Sequence, residues 1–100
     1  MRSGGLPLTS EFGTIYMNRK HTRTLGEIFT KPTRANLRFD DVVGLISALG
    51  GTVTQRAGSR AAFVLSGKVL VLHRPHPSPT MDKGAVDDMR VFLSLCGVNP

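Results

Sequence analysis

Hydrophobic residues recur at helical spacing in two stretches of the first half of the chain. Leu25, Ile28 and Phe29 stand at i, i+3 and i+4 behind a basic start, which predicts a short amphipathic helix over residues 18–29. A second helix is predicted to begin at Asp40 as its N-cap and to end at Gly50-Gly51. Its apolar face consists of Val42, Leu45, Ile46 and Leu49.

Three short segments follow that are typical of strands: the first is β-branched, the second apolar and the third wholly aliphatic. They span residues 52–55, 61–65 and 69–72, and turn residues separate them, so they predict a three-stranded antiparallel meander. Three prolines exclude regular structure over residues 73–79. A third helix is predicted from Asp82 or Lys83 to Cys96-Gly97. The pattern therefore indicates an α+β fold with helices on one face of a small sheet.

Residues 1–16 differ from the rest of the chain because glycine and proline interrupt every period. No basic start precedes an apolar stretch, so a secretory signal is not predicted. We expect a flexible N-terminal extension, or a segment foreign to the native protein, with Met17 as an alternative start. Residues 17–100 then form one domain, since typical domains have about 100–150 residues.

Composition narrows the class of protein. The net charge of +6 indicates an anionic partner, such as nucleic acid, an acidic protein or an anionic membrane surface. No apolar run approaches the roughly 20 residues of a membrane helix, which excludes an integral membrane protein. Cys96 is the only cysteine, which excludes an intramolecular disulfide framework and a cysteine-rich zinc module. A reducing, cytoplasmic setting is the simplest interpretation.

Several motifs together resemble those of one known family, although each alone is weak. In chain order they are Met17-Asn18-x-Lys20-His21, Thr24-Leu25-x-x-Ile28-Phe29, Lys31-Pro32-Thr33-x-Ala35-Asn36, Gly58-Ser59-Arg60, His73-Arg74-Pro75-His76-Pro77 and Asp82-Lys83-Gly84-Ala85-Val86. With these motifs, the chain from Met17 to Pro100 resembles the HicA toxins.

That resemblance implies a fold similar to a double-stranded-RNA-binding domain, with α-β-β-β-α order and an extra N-terminal helix here. It also implies the toxin half of a toxin–antitoxin pair, a ribonuclease that cuts mRNA without a metal ion or other cofactor. A HicB-like antitoxin protein is the implied partner that binds and masks the toxin.

The resemblance fails at one position that matters for catalysis. Most of the family has a histidine after the Gly-Ser turn, where this chain has Arg60. An imidazole is suited to act as the base in RNA cleavage, because it titrates near neutrality. A guanidinium stays charged, so it cannot take a proton but can hold a phosphate. We therefore predict His73 as the base, with His76 second. These two residues form His-x-x-His, but no third ligand accompanies them, so a metal site is not predicted.

Basic residues crowd the first sixty positions and indicate contact with phosphate, although such runs are also typical of solvated surfaces. The predicted RNA-binding residues are Lys20, Arg23, Arg56, Gly58, Ser59, Arg60 and Arg74. The phenylalanines Phe29, Phe39, Phe63 and Phe92 lie on apolar faces and are assigned to the core rather than to base stacking. His21 is expected to be solvated or to face RNA.

Three functions remain open from the sequence. The first is a HicA-like ribonuclease toxin. The second is a non-catalytic relative that binds RNA or an antitoxin and lost its base when histidine became Arg60. The third is a basic adaptor that binds an acidic protein.

Overall fold

Three helices and seven strands make up the part of the chain that the computed structural model describes, residues 6–10 and 13–100. In chain order they are β1 (Leu6–Ser10), β2 (Gly13–Met17), α1 (Arg19–Ile28), β3 (Leu37–Arg38), α2 (Phe39–Ala48), β4 (Thr52–Arg56), β5 (Arg60–Leu65), β6 (Lys68–His73), β7 (Thr80–Met81) and α3 (Lys83–Leu95). The α2-β4-β5-β6-α3 succession, preceded by α1, confirms the predicted α+β fold.

Strands β4, β5 and β6 form an antiparallel sheet in that order, as the sequence predicts. Phe63 in the middle strand pairs with Val53 of β4 and with Leu70 of β6. Because side chains alternate between the two faces of a strand, these residues share a face with Ala61 and Leu65. That face is turned toward the core. The opposite face, which we call the open face, has mostly exposed side chains, although Ala62 in its middle is buried.

Helices α2 and α3 cover the buried face of the sheet. The ring of Phe39, the first residue of α2, meets that of Phe63 edge-on at 5.7 Å between centroids. Beyond the end of α3, the Cys96 thiol donates a 3.4 Å hydrogen bond to the carbonyl oxygen of Leu65. Helix α1 packs against α2 and α3. The assignment of phenylalanines to the core is confirmed at Phe39, Phe63 and Phe92, and Phe29 is partly buried against it.

Two predicted turns are present and have the backbone that their residues favour. Gly50 follows α2 with φ = 91°, and Gly51 lies so close to β5 that a Cβ there would stand 2.5 Å from the carbonyl oxygen of Val64. Ser66 and Gly67 both have positive φ, 52° and 75°, as the two-residue turn of a hairpin requires. These turns fix how α2 and β6 join the middle strand.

The predicted N-cap of α3 is confirmed and that of α2 is wrong. Asp82 accepts a 2.8 Å hydrogen bond from the backbone N–H of Ala85. Helix α2 begins at Phe39, before Asp40, because the Phe39 N–H donates to the carbonyl oxygen of Pro79 at 3.0 Å. The pairing of strand β3 with β7 brings these two segments together. Asp40 lies in the first turn of α2, where its carboxylate interacts favourably with the positive end of the helix dipole.

Two pairs of strands lie outside the sequence prediction. Strand β1 pairs with β2 in an antiparallel two-stranded sheet, within the segment where no period predicts one. Strands β3 and β7 contribute two residues each, and β6 continues through His73, one residue into the stretch expected to be irregular. The prediction that residues 1–16 are a flexible extension stays a prediction, and it includes residues 1–5 and 11–12, which lie outside the described residues.

We expect deletion of residues 1–16 to leave the melting temperature within about 5 °C of the full chain. The truncated chain keeps Met17, which is buried in the core, and Asn18, whose side chain caps α1 by accepting from the His21 N–H. Thermal unfolding of both chains, followed by circular dichroism, measures the difference. A larger fall would mean that the N-terminal strands stabilise the core.

Candidate functional site

Three basic or titratable side chains lie side by side at one end of the open face of the sheet. In the strand register Arg60 is paired with Arg56 on one side and with His73 on the other. Directly opposed residues project from the same face with Cβ atoms about 4.5–5.5 Å apart. All three residues are exposed. We call Arg56, Arg60 and His73 the basic row.

The Gly58-Ser59 turn, which immediately precedes Arg60, helps to orient the Arg60 side chain. Gly58 and Ser59 have φ values of 75° and 58°, and the chain then enters β5 at Arg60. The Arg60 Nε donates a 2.9 Å hydrogen bond to the carbonyl oxygen of Ala57. Among the described residues its terminal nitrogens have no hydrogen-bond partner, so they can donate to an anion. A guanidinium held in this way is suited to a phosphate oxygen.

Arg74 extends the contact between the turn and strand β6. Its backbone N–H donates a 2.8 Å hydrogen bond to the carbonyl oxygen of Ser59. Its guanidinium lies over the ring of Phe39, 4.9 Å from the centroid, and 3.9 Å from a carboxylate oxygen of Asp40. The side chain of Arg74 is therefore directed toward the start of α2, whereas its backbone is part of the end of the sheet that carries the basic row.

His76 lies in the proline-rich loop that follows β6 and has no strand partner in the basic row. It lines a partly open cavity of about 350 Å³ beside the end of that strand. The cavity also includes His73 and Arg74 among its lining residues. The structure thus pairs one of the two candidate bases, His73, with Arg60, whereas both histidines line the cavity.

Two of the predicted RNA-binding residues belong to α1 and are not brought to the basic row. The Lys20 ammonium lies 3.1 Å from a carboxylate oxygen of Asp41 in α2, and Arg23 is exposed. Because α1 packs against the helices that cover the other face of the sheet, both residues are on the helical side of the molecule.

The expectation that His21 is solvated or faces RNA is wrong. Its imidazole packs against Gly44 of α2, where an added Cβ would stand 3.1 Å from His21 Cε1. The Nδ1 atom is buried and has no hydrogen-bond partner among the described residues. His21 is therefore a contact between α1 and α2, and the signal in the sequence is the glycine that makes room for it.

The middle of the open face is apolar. Val64 of β5 pairs with Val69 of β6, and Val71 lies two residues farther along the same face. Val69 and Val71 are 57% and 43% exposed, although aliphatic residues of this size are usually buried. We call Val64, Val69 and Val71 the valine patch, which adjoins the basic row on one continuous surface.

Comparison with known proteins bears on this surface. A family model described as HicA toxin of bacterial toxin-antitoxin matches residues 39–93. The chain belongs to the HicA toxin family. The match begins at the first residue of α2 and ends within α3, so it contains the basic row, the valine patch and the cavity. No curated protein and no solved structure matches the chain. Membership supports a toxin of a bacterial toxin–antitoxin system and, in general terms, a ribonuclease.

In this HicA family member a partly buried arginine joins the matched part of the chain to helix α1. Arg90 of α3 donates from Nε to the carbonyl oxygen of Ile28 at 3.0 Å and from Nη2 to the hydroxyl of Thr33 at 2.7 Å. Its Nη1 lies 3.0 Å from a carboxylate oxygen of Asp87. Sequence reasoning missed this cluster, because Arg90 interrupts an apolar helix face and no spacing rule relates it to Ile28 or Thr33.

Asp87 gains a pH-dependent role from these contacts. The hydrogen bond from the Thr33 hydroxyl, followed by the charge of Arg90, holds the pKa of the Asp87 carboxyl below its ordinary value, although partial burial opposes this effect. A pKa lowered by folding means that the ionised form stabilises the folded state. The stabilisation is present above the ordinary aspartate pKa and is lost as the pH falls through the lowered value.

We therefore expect Asp87→Asn to lower the free energy of unfolding at neutral pH and to lose less stability than the parent chain on acidification. The two unfolding curves should converge in the acidic range. Urea unfolding across the pH range measures the effect. Asp88→Asn is the matched control, because Asp88 is an exposed neighbour without an ion pair among the described residues. Parallel pH curves for the parent chain and Asp87→Asn would contradict the assignment.

Neither a metal centre nor a membrane span is found in the described part of the chain. No group of three or more His, Cys, Asp or Glu side chains in residues 6–10 and 13–100 could hold a metal ion. Within the same residues, no helix is both long enough and apolar enough to cross a bilayer.

Proposed function

We propose that this HicA family member binds mRNA on the open face of its sheet and cleaves it without a metal ion. The observation that supports the proposal is the pairing of His73 with Arg60, which puts an imidazole beside a guanidinium on an exposed surface. Cleavage of RNA by its own 2′-OH requires a base and a cation near one phosphate, and the basic row supplies both.

In the proposed reaction His73 takes the proton from the ribose 2′-OH, and the 2′-oxygen attacks phosphorus. The bond to the 5′-oxygen breaks, this oxygen takes a proton from solvent, and the products carry a 2′,3′-cyclic phosphate and a 5′-OH. Arg60 and Arg56 stabilise the negative charge that accumulates on the phosphorane oxygens. His76, the second candidate base, follows β6 in a loop and is not paired with Arg60, so the strand register favours His73.

The proposed partner is a HicB-like antitoxin that covers the open face. Its surface would need acidic groups opposite the basic row, because like charges across an interface are destabilising. It would also need an apolar centre that covers the exposed valine patch. An antitoxin in this position would block access of RNA to His73. Family membership supports the existence of an antitoxin partner. The exposed valines and basic residues of the open face support this docking position.

The function is tested by expressing the chain in bacteria with and without a HicB-like protein, and by incubating the purified chain with mRNA in EDTA. We expect growth arrest that the antitoxin relieves, and fragments that end in a 2′,3′-cyclic phosphate and a 5′-OH. RNA binding without cleavage would instead support the non-catalytic relative, for which Arg60 in place of the family histidine is the specific observation. Binding of an acidic protein without RNA binding would support the adaptor.

A further inference from the structure

The cavity beside the basic row has the size and walls of a small-ligand site. Its volume of about 350 Å³ is near the lower end of the roughly 300–1,000 Å³ range of such sites, which suits a single nucleotide-sized group. Its apolar lining includes Phe39, Leu72 and Met81, all of which are largely buried. The exposed His76 and Pro77 lie in the loop that forms its rim.

The residues that line the cavity include both hydrogen-bond donors and hydrogen-bond acceptors. Arg74 is a donor, Asp82 is an acceptor, and the hydroxyls of Ser78 and Thr80, 2.8 Å apart, can do either. One carboxylate oxygen of Asp82 is used by the Ala85 N–H. A cation and an anion in one cavity favour a neutral ligand whose edge carries both donors and acceptors. The basic row, by contrast, has no carboxylate paired with Arg56 or Arg60 among the described residues, which favours an anion there.

The cavity and the basic row are adjacent. His73 belongs to both, because it ends β6 in the row and also lines the cavity. The next residue, Arg74, also lines the cavity, and its backbone N–H donates to the Ser59 carbonyl oxygen beside Arg60. A ligand that spans the two sites therefore has a neutral, flat group joined directly to an anion.

We propose that this cavity binds the nucleobase next to the phosphate held by the basic row, with the base against the His76 imidazole. The inference rests on the proposed function and adds a subsite that selects one nucleotide at the cleavage position. Imidazole and guanidinium planes stack on bases, and single-stranded RNA is recognised through splayed bases of this kind. A base has the neutral donor and acceptor edge that Arg74, Ser78 and Asp82 complement.

The experiment uses the full chain and a single-stranded RNA of about six nucleotides, within the usual site size of such surfaces. Methylation of its 2′-hydroxyls prevents cleavage. Fluorescence anisotropy compares the intact RNA with a series in which each position in turn lacks its base. We expect one position to cost at least about fivefold in Kd, as loss of one stacked base does. His76→Ala should remove this position dependence, whereas Lys68→Ala, at the other end of β6, should keep it.

The outcomes distinguish the subsite from the function on which it rests. If the unmethylated RNA is cleaved but the methylated abasic series binds with equal affinity at every position, the subsite is overturned and the function stands. Failure of the chain to bind or cleave any RNA overturns both. Titration with a nucleoside 5′-monophosphate is the third arm, and His76-dependent binding that is tighter than that of the RNA would assign the cavity to a free nucleotide instead.

Discussion

Replacing His73 by alanine is expected to lower the rate of RNA cleavage about 10²–10⁴-fold, because the variant loses the proposed general base. RNA binding should change little, since Arg56 and Arg60 still hold the phosphate. Single-turnover cleavage and anisotropy on the same RNA measure the two effects separately. His76→Ala tests the second candidate base under identical conditions.

The pH dependence of the rate adds a readout that a structural role of His73 would not change. A histidine base works only when it is neutral, so the rate of the parent chain should fall on acidification. The residual rate of His73→Ala should lack this acid limb. Unchanged cleavage in both His73→Ala and His76→Ala would reject the two assignments, and the base would then have to be sought elsewhere.

Replacing Arg60 by alanine is expected to weaken RNA binding about tenfold to a hundredfold and to slow cleavage as well. Hydrogen bonds to a charged phosphate contribute about 1.5–3 kcal/mol each, and Arg60 makes such a contact in the proposed complex both before and during the reaction. The slope of log Kd against log salt should fall by about 0.7, the value for one phosphate on a single strand.

Arg34→Ala is the matched control for this loss of charge, because Arg34 is exposed in the loop between α1 and β3. It should change the salt slope much less. Arg60→His restores the residue that most of the family has at this position, and we expect it to raise the cleavage rate above that of the parent chain. A salt slope that Arg60→Ala leaves unchanged would remove Arg60 from the RNA contact.

The helices and the central sheet could be predicted because their residues follow a regular period. Leu25 and Ile28 mark α1, and the continuous apolar run around Phe63 marks β5, so local pattern and burial agree at these positions. Strands β3 and β7 could not be predicted, because two residues carry no period. Asp40 was a plausible cap by residue type, but pairing with the distant Thr80–Met81 segment determines where α2 begins.

In the candidate site, too, the features set by local sequence could be predicted, and those set by contacts between distant segments could not. The predicted antiparallel meander puts the third strand, which ends at about His73, beside the second strand, and the register of β5 with β6 pairs His73 with Arg60. The cavity around His76 could not be predicted, because its walls come from α2, β6, β7 and α3. His21 was misassigned for a similar reason, since its neighbour Gly44 lies on another helix.

The basic row also has a consequence for how the domain folds. Its residues come from one continuous pair of hairpins, with His73 only 13 positions after Arg60 and Arg60 only four after Arg56. Contacts between residues close in sequence form fast, because little loop-closure entropy must be overcome. We therefore expect the basic row to form together with its two hairpins, before the long-range hydrogen bond from Arg90 to the Ile28 carbonyl oxygen. Under the proposed function, a nascent chain would form its RNA-binding row early, and we would expect a co-translated antitoxin to engage the hairpins first.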